Sequence, residues 1–331
     1  MELRFGTMAH GNNDLITDVD GVRVGHFTID RGDCHTGVTV ILPTQKNPFI
    51  YKMTAASHVI NGFGKTMGLI QLDELGTLET PIAITNTLNV GKVHDALVSY
   101  MLRLCDRDGI DLTSVNPVVC ECNDSRINDI RQRPIGEKEV FAAIDSASEV
   151  FEQGAVGGGR GTVCYGLKGG IGSSSRIFEI DGKEYTIGVL VQSNYGSARD
   201  LTLCDLTDES AGPDQGSIIL IVATDLPLSS RQLKRVIKRA SVGMARLGSY
   251  IGHGSGEIVI GFTTCAPEKS GESFLCQRIM REDLLDLPFR AVGECAEEAI
   301  VRSMLYAGPD RTLQGGQIRS LREYEIKKAA R

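Results

Sequence analysis

The sequence predicts a layered α/β fold in which β-sheets pack face to face and helices lie on the outside. The chain has 38 glycines in 331 residues and no tryptophan, a composition typical of many tight turns between strands. Candidate strands and helices do not alternate regularly, as a doubly wound parallel sheet would require. The composition marks no linker or internal repeat, so we expect a single layered domain over residues 1–331.

Short apolar and β-branched runs bounded by turn residues predict the strands. The predicted strands are 37–42, 80–84, 115–122, 162–166, 185–192, 217–224 and 257–263. The run that begins at Ser217 is the clearest, since Ile, Leu, Val and Ala follow without interruption as far as residue 223. Such a run predicts a buried strand.

Apolar residues spaced for an α-helix predict the helices. The best-defined helix begins after Ser229, a typical N-cap, and ends at Gly248, a typical C-terminal stop. Its apolar face includes Leu233, Val236 and Leu247. Further helices are predicted at 93–105, 137–149 and 289–306.

Charge and cysteine content narrow the functional class. The formal net charge is −7 and the pI is about 5.5, which argues against a general nucleic-acid binder. No stretch approaches the ~20 apolar residues of a membrane span, so we expect no membrane partner. Nine cysteines, an odd number spread along the chain, indicate reduced thiols and a cytoplasmic protein.

Several short motifs resemble known sites but lack their spacing. Gly64-Lys65-Thr66 ends like a phosphate-binding loop, yet Val59 stands where the first glycine belongs. The glycine-rich run at 154–161 lacks the spacing of a dinucleotide fingerprint and predicts a tight turn. The histidines show no metal-ligand spacing, and Cys120 and Cys122 predict two thiols on one face of a strand rather than a zinc site.

The pair Gly216-Ser217 has the chemistry of a self-cleaving bond. Glycine allows strained backbone angles, and the Ser217 hydroxyl could attack the Gly216 carbonyl and release a new amino terminus. A free α-amine has an unperturbed pKa of about 7.7–8.0, so it could act as general base for its own hydroxyl at neutral pH. Taken alone, the pair is better explained as the ordinary start of a strand.

Seven segments in order resemble the DmpA-type aminopeptidases, peptidase family S58. They are ITDVDGVRVGH at 16–26, NGFG at 61–64, TPIAITNT at 80–87, GAVGGGRG at 154–161, QSNYG at 192–196, GSIILIVATD at 216–225 and GSGE at 254–257. The resemblance runs almost from end to end.

This resemblance implies an αββα sandwich of the DmpA and ornithine acetyltransferase superfamily, similar to N-terminal-nucleophile hydrolases. It also implies self-cleavage between Gly216 and Ser217, which would give chains 1–216 and 217–331. It further implies a homo-oligomer, a tetramer of processed heterodimers, with no organic cofactor and no metal.

By the same resemblance, Ser217 is the nucleophile and Asn194 donates a hydrogen bond to the developing oxyanion. Ser255 and Glu257 match the Ser-Gly-Glu of the family and would orient the Ser217 hydroxyl and hold its amine. Alternation along a strand places both on one face. The residue types also allow a turn-forming Asn194 and an exposed Glu257 in a glycine-rich turn.

An aminopeptidase must also bind the ammonium group of its substrate, for which a buried carboxylate is suited. The family pattern assigns this role to Glu74, with Asp73 and Glu79 as alternatives. We also expect Asn61 and Asn86 to line the cleft.

The sequence therefore predicts a serine aminopeptidase that releases N-terminal residues from short peptides, amides or esters through an acyl-Ser217 intermediate. An acyltransferase of the ornithine acetyltransferase type is the first alternative, although that type ordinarily uses threonine at the cleavage point. A broader amidase and a non-catalytic binding protein with the same fold are the others.

Overall fold

The computed structural model of the protein describes residues 5–206, 213–269, 273–274 and 276–326. Residues 207–212, in the loop before Gly216, lie outside the described residues.

Fourteen strands are found in these ranges, seven of them no more than five residues long. The strands are β1 Arg23–Arg31, β2 Cys34–Leu42, β3 Tyr51–Gly62, β4 Thr77–Leu78, β5 Ile82–Asn86, β6 Val118–Cys122, β7 Val163–Cys164, β8 Leu167–Lys168, β9 Ile171–Ile180, β10 Lys183–Asn194, β11 Gln215–Thr224, β12 Gly254–Lys269, β13 Asp310–Arg311 and β14 Gln317–Ile318. The α-helices there are α1 Leu69–Leu75, α2 Val90–Arg107, α3 Glu137–Asp145, α4 Ser230–Ile237, α5 Ala240–Arg246 and α6 Asp286–Leu305.

Two sheets form the centre of the molecule. The smaller has the strand order β1-β2-β5-β6, and the larger has the order β4-β3-β12-β11-β10-β9. In the larger sheet β11 pairs in parallel with β12 and antiparallel with β10. The strand that begins at Ser217 is therefore an interior strand with a neighbour on each side.

Three apolar cores separate four layers. The middle core joins the inner faces of the two sheets, for example Ile41 and Ile84 with Ile219 and Ile260. A second core lies between the larger sheet and α4, α5 and α6. A third lies between the smaller sheet and α2 and α3. This arrangement is an αββα sandwich, which confirms the predicted fold class.

The sequence prediction missed the long strands β1, β3 and β9, the two-residue strands β4, β8, β13 and β14, and the helix α1, and it joined two helices into one. The helix predicted to run from Ser229 to Gly248 is divided at Lys238 and Arg239 into α4 and α5. Both helices keep their apolar residues toward the core, so the hydrophobic periodicity continues across the break and does not reveal it.

Two smaller predictions concern thiols and membrane spans. Cys120 and Cys122 both lie in the middle core, on one face of β6, as the strand prediction required. Within the described ranges, each helix is too short or too polar to cross a bilayer.

Candidate active site

A cavity of about 370 Å³ opens where β10 ends and where β11 and β12 begin. Asn194, Gly216 and Ser217 line it from the larger sheet. Glu121, at the end of β6, lines it from the smaller sheet. The two sheets thus bring together residues that are far apart in the sequence.

Gly216 has a backbone conformation that other residues rarely adopt. Its φ is +133°, and a Cβ at this position would lie 1.9 Å from the carbonyl oxygen of Asn194. Both the angle and the lack of space require glycine here. The peptide bond between Gly216 and Ser217 therefore follows a strained residue, as self-cleavage needs.

Ser217 is 3% exposed and lies between two partners in the sheet. It pairs with Asn194 on β10 and with Gly256 on β12. The Cys122 thiol donates a hydrogen bond of 3.5 Å to the Ser217 carbonyl, so the smaller sheet also contacts this residue. Burial raises the pKa of Cys122 well above its ordinary value, which keeps the thiol protonated as a donor.

Asn194 is held in one orientation by the turn that begins β7. Its side-chain oxygen accepts a hydrogen bond of 3.0 Å from the Val163 N–H, which assigns the oxygen and leaves Nδ2 free to donate. Nδ2 lies 3.3 Å from the position that a Cβ on Gly216 would occupy. The amide donor is thus next to the Gly216–Ser217 bond.

Ser255 and Glu257 share one face of β12, but it is not the face of the Ser217 side chain. In the parallel ladder Gly216 lies beside Ser255 and Ser217 lies beside Gly256. Paired residues point to the same side of a sheet, so Ser255 and Glu257 flank the Gly216–Ser217 backbone from the helix side. The structure therefore does not place either group against the Ser217 hydroxyl of the continuous chain.

Ser255 and Glu257 are also buried without partners. Both are 0% exposed, and the described residues offer no hydrogen bond of ordinary geometry to the Ser255 hydroxyl or to either Glu257 carboxylate oxygen. Burial raises the pKa of Glu257 to about 7, and the nearby Ser255 hydroxyl offsets part of that rise. Such unsatisfied groups are rare in folded proteins and indicate a site that awaits a partner.

Asp214 fixes the segment just before the strained glycine. Its carboxylate accepts hydrogen bonds of 2.9 Å from the Gly196 N–H and 3.1 Å from the Gly252 N–H. Gly196 comes just after the end of β10, and Gly252 comes just before the start of β12. The start of β11 is thereby tied on both sides.

The predicted cleft residues Asn61 and Asn86 have other positions. Asn61 donates hydrogen bonds to the carbonyls of Gly252, His253 and Ser255, at 3.1 Å and 3.3 Å for the first two, and so shapes the approach to β12. Asn86 is fully buried, where it donates to Thr36 and caps the following turn. Neither is among the residues that line the described pocket.

The three acidic candidates for the ammonium site also lie elsewhere. Glu74 is exposed on α1. Asp73 accepts hydrogen bonds from the Ser57 N–H and from Lys234, and Glu79 forms an ion pair with Lys52. These acids come shortly before the Thr-Pro-Ile strand in the sequence. In the fold, however, none of them is among the residues that line the described pocket.

Glu121 is the carboxylate among the described residues that line the pocket, and the sequence did not point to it. It is 3% exposed, and it accepts hydrogen bonds from the Lys65 N–H at 3.0 Å and from the Thr87 hydroxyl. Among the described residues no cation forms an ion pair with it. The available signal was a lone acid inside the otherwise apolar strand VVCEC, where an acid needs a partner.

The mouth of the pocket is cationic. Arg126 and Lys65 are both exposed and both line the pocket. The Lys65 ammonium lies 4.5 Å from the centre of the Phe63 ring, a cation–π contact. In the described part of the chain neither cation has a carboxylate partner.

Comparisons with known proteins agree with this geometry. The profile of peptidase family S58 matches residues 14–318. The β-peptidyl aminopeptidase BapA of Sphingosinicella microcystinivorans is 34% identical over 351 aligned positions, which cover 96% of this chain and 87% of that protein. BapA of Sphingosinicella xenopeptidilytica is 35% identical over 328 positions, covering 89% of this chain and 81% of that protein.

Solved structures are similar over the same length. The PH0078 protein from Pyrococcus horikoshii OT3 has a TM-score of 0.92 at 43% identity, with 96% of this chain and 94% of that chain covered. The L-aminopeptidase D-Ala-esterase/amidase from Ochrobactrum anthropi, described as a variant of the Ntn hydrolase fold, has a TM-score of 0.89 at 34% identity, with 96% and 93% covered.

Proposed function

This chain belongs to peptidase family S58 and is an aminopeptidase, and from that premise we propose that Ser217 is its nucleophile after self-cleavage. The products of self-cleavage are chains 1–216 and 217–331. Support comes from the strained Gly216, the amide of Asn194 beside it and the unsatisfied pair Ser255 and Glu257.

Self-cleavage proceeds through an ester. The Ser217 Oγ forms a bond to the Gly216 carbonyl carbon, the C–N bond breaks, and the hydroxyl proton passes to the leaving nitrogen. Water then hydrolyses the ester, which leaves the Gly216 carboxylate, the Ser217 hydroxyl and a free Ser217 amine. Strain at Gly216 raises the energy of the continuous chain and so favours the first step.

Turnover repeats this chemistry on the substrate. The Ser217 amine takes the proton of its own hydroxyl as Oγ attacks the scissile carbonyl, and the departing amine then receives that proton. The Asn194 Nδ2–H donates to the oxygen that becomes negative, and losing one such donor costs about 10²–10³ in rate. Water releases the N-terminal residue from the acyl-Ser217 ester.

Glu257 and Ser255 act on the new amine. Cleavage frees the Ser217 nitrogen, and Ser217 pairs with Gly256, the residue between Ser255 and Glu257 on β12. Each time this nitrogen takes a proton, a positive charge forms near a buried carboxylate for which the described residues of the continuous chain offer no hydrogen-bond partner. Glu257 would then stabilise the ammonium, with the Ser255 hydroxyl as a further acceptor.

The substrate is a short peptide, amide or ester with a free amino terminus. The observation that carries this is Glu121, a buried carboxylate in the pocket without a cation among the described residues. A substrate ammonium would supply the missing charge, so Glu121 takes the role that the sequence analysis gave to Glu74. This assignment excludes N-blocked peptides as good substrates.

A comparison of free and N-acetylated peptides tests the proposal. We expect the free amine to be hydrolysed and the acetylated form to be a poor substrate. Glu121→Gln should lower kcat/KM for free-amine substrates about 10- to 100-fold, the range of a charge-assisted hydrogen bond. Glu74→Gln, which removes an exposed acid outside the pocket, is the matched control.

Two outcomes would change the conclusion. Equal rates for free and acetylated substrates would favour a broader amidase. An effect of Glu74→Gln with none from Glu121→Gln would return the ammonium site to α1.

The assembly and compartment are part of the proposal. The resemblance supports a cytoplasmic homo-oligomer, a tetramer of processed heterodimers, and the odd number of cysteines supports a reducing compartment. Light scattering of the purified protein distinguishes this tetramer from a single processed heterodimer.

A further inference from the structure

Among the residues that the structure describes, the pocket lining carries more positive than negative side chains, although the protein as a whole is acidic. Lys65 and Arg126 are the cations of its lining, and Glu121 is the carboxylate. The formal net charge of the chain is −7. A local excess of positive charge in a cleft of an acidic protein attracts an anionic group.

Three functions of the pocket can be matched to three groups of a small peptide. Glu121 suits the ammonium, and Ser217 with Asn194 suits the scissile carbonyl. Arg126 then remains without a function in the aminopeptidase chemistry and without a carboxylate partner among the described residues. A guanidinium is suited to bind a carboxylate, with two parallel hydrogen bonds.

We propose that Arg126 binds the free α-carboxylate of the residue that leaves, so that dipeptides are the preferred peptide substrates. The inference rests on the proposed function, because it takes Glu121 as the ammonium site and Ser217 as the nucleophile. Lys65 contributes a second and weaker attraction for the carboxylate, since its ammonium also lies over the Phe63 ring.

The volume of the cavity and the anchoring of the Arg126 backbone both fit a dipeptide substrate. A cavity of about 370 Å³ is at the small end of the usual range for ligand pockets, about 300–1,000 Å³. The carbonyl of Arg126 accepts a hydrogen bond of 3.1 Å from the Leu313 N–H, which ties the loop after β6 to a distant segment. The backbone of the guanidinium is therefore anchored even though the side chain is exposed.

The test compares a dipeptide acid with the same dipeptide as its C-terminal amide. The wild type should have the higher kcat/KM for the acid. Arg126→Gln should lower the acid-to-amide ratio about tenfold, because it removes one charge-assisted contact that is partly screened by water. The wild-type ratio should also shrink as ionic strength rises, since the cation is exposed.

Arg131→Gln is the matched control. Arg131 lies five residues away, is also exposed and pairs with Asp129 outside the pocket, so its substitution removes the same charge from the same region. This variant should keep the wild-type ratio.

The possible results separate the two proposals. A wild-type ratio near one, or a ratio that Arg126→Gln leaves unchanged, would overturn the carboxylate site while the aminopeptidase stands. No hydrolysis of any free-amine substrate would overturn the proposed function instead. An Arg126-dependent preference for aspartyl over asparaginyl p-nitroanilide would place the carboxylate on the first residue and would also overturn the proposal.

Discussion

Two buried polar regions lie two strands apart in the larger sheet, one around Arg176 on β9 and the other around Ser217 on β11. The Arg176 network consists of Arg176, Asp14, Glu294, Glu298 and Arg302. The Arg176 side chain is 0% exposed and lies 3.2 Å from Glu294 and 2.7 Å from Glu298. Arg302 lies 2.8 Å from Glu298 and also contacts Asp14.

The Ser217 region is built differently. Among the described residues Ser255 and Glu257 are buried without partners, and Gly216 has a strained φ. Burial of polar groups is common to both regions, so it does not by itself mark a site. A functional site is instead indicated by buried polar groups that lack hydrogen-bond or ion-pair partners.

The first way to test this comparison is to break the satisfied region. Arg176→Met leaves Glu294 and Glu298 buried without their main cation, which should lower the free energy of unfolding by about 3–5 kcal/mol. Denaturant unfolding in the uncut Ser217→Ala background measures it. In the Ser217 background kcat per folded molecule should stay close to wild type.

Arg103→Met is the control for this prediction. Arg103 and Glu137 form an exposed pair with 65% and 44% of their side chains accessible, and such pairs contribute about 0–1 kcal/mol. If Arg176→Met costs no more than Arg103→Met, the Arg176 network is not the structural element described here.

The second prediction concerns the oxyanion donor. Asn194→Asp keeps an oxygen acceptor for the Val163 N–H but removes the Nδ2–H donor. We expect kcat to fall about 10²–10³-fold or more with little change in KM, because the donor acts mainly in the transition state. Retained activity would mean that Asn194 serves only to hold the turn before β7.

The third prediction uses the pKa of Glu257. Its pKa of about 7 in the folded, uncut chain exceeds the ordinary value of 4.5, so the folded state binds the proton more tightly. The contribution of Glu257 to the stability of Ser217→Ala should therefore be fully present below pH 4.5 and be lost as pH rises to about 7. Glu257→Gln in the same background should remove this component, about 3 kcal/mol, from the pH dependence of the free energy of unfolding.

Cleavage should weaken this pH dependence, because the new Ser217 ammonium favours the ionised carboxylate. Unfolding curves of the cleaved wild type across the same pH range provide the comparison. An identical pH profile before and after cleavage would contradict the pairing of Glu257 with the amine.

Much of the fold could be predicted because its signals are local. The apolar run after Ser217 and the helical periodicities of α2, α3 and α6 depend on neighbouring residues only. By contrast, β9 contains Ser173, Ser174, Ser175 and Arg176, which are polar and yet fully buried. Their partners come from the N-terminal segment and α6, so hydropathy alone does not predict the strand.

The candidate site was predictable only in part, for the same reason. Gly216 and Ser217 are adjacent, so the two residues suggest self-cleavage chemistry, but only the other segments of the family pattern favour it over the ordinary start of a strand. Glu121 and Ser217 line one pocket only because two sheets stack, whereas Glu74 had the right sequence neighbourhood and lies outside the described pocket. Strand alternation predicts that Ser255 and Glu257 share a face, but only the register of β11 with β12 determines which face.

The mass of the purified protein under denaturing conditions tests the central claim most directly. We expect the wild type to give two fragments, 1–216 and 217–331, and Ser217→Ala to give a single chain of 331 residues. A wild-type protein that stays folded, hydrolyses free-amine peptides and still gives one intact mass after long incubation would contradict it.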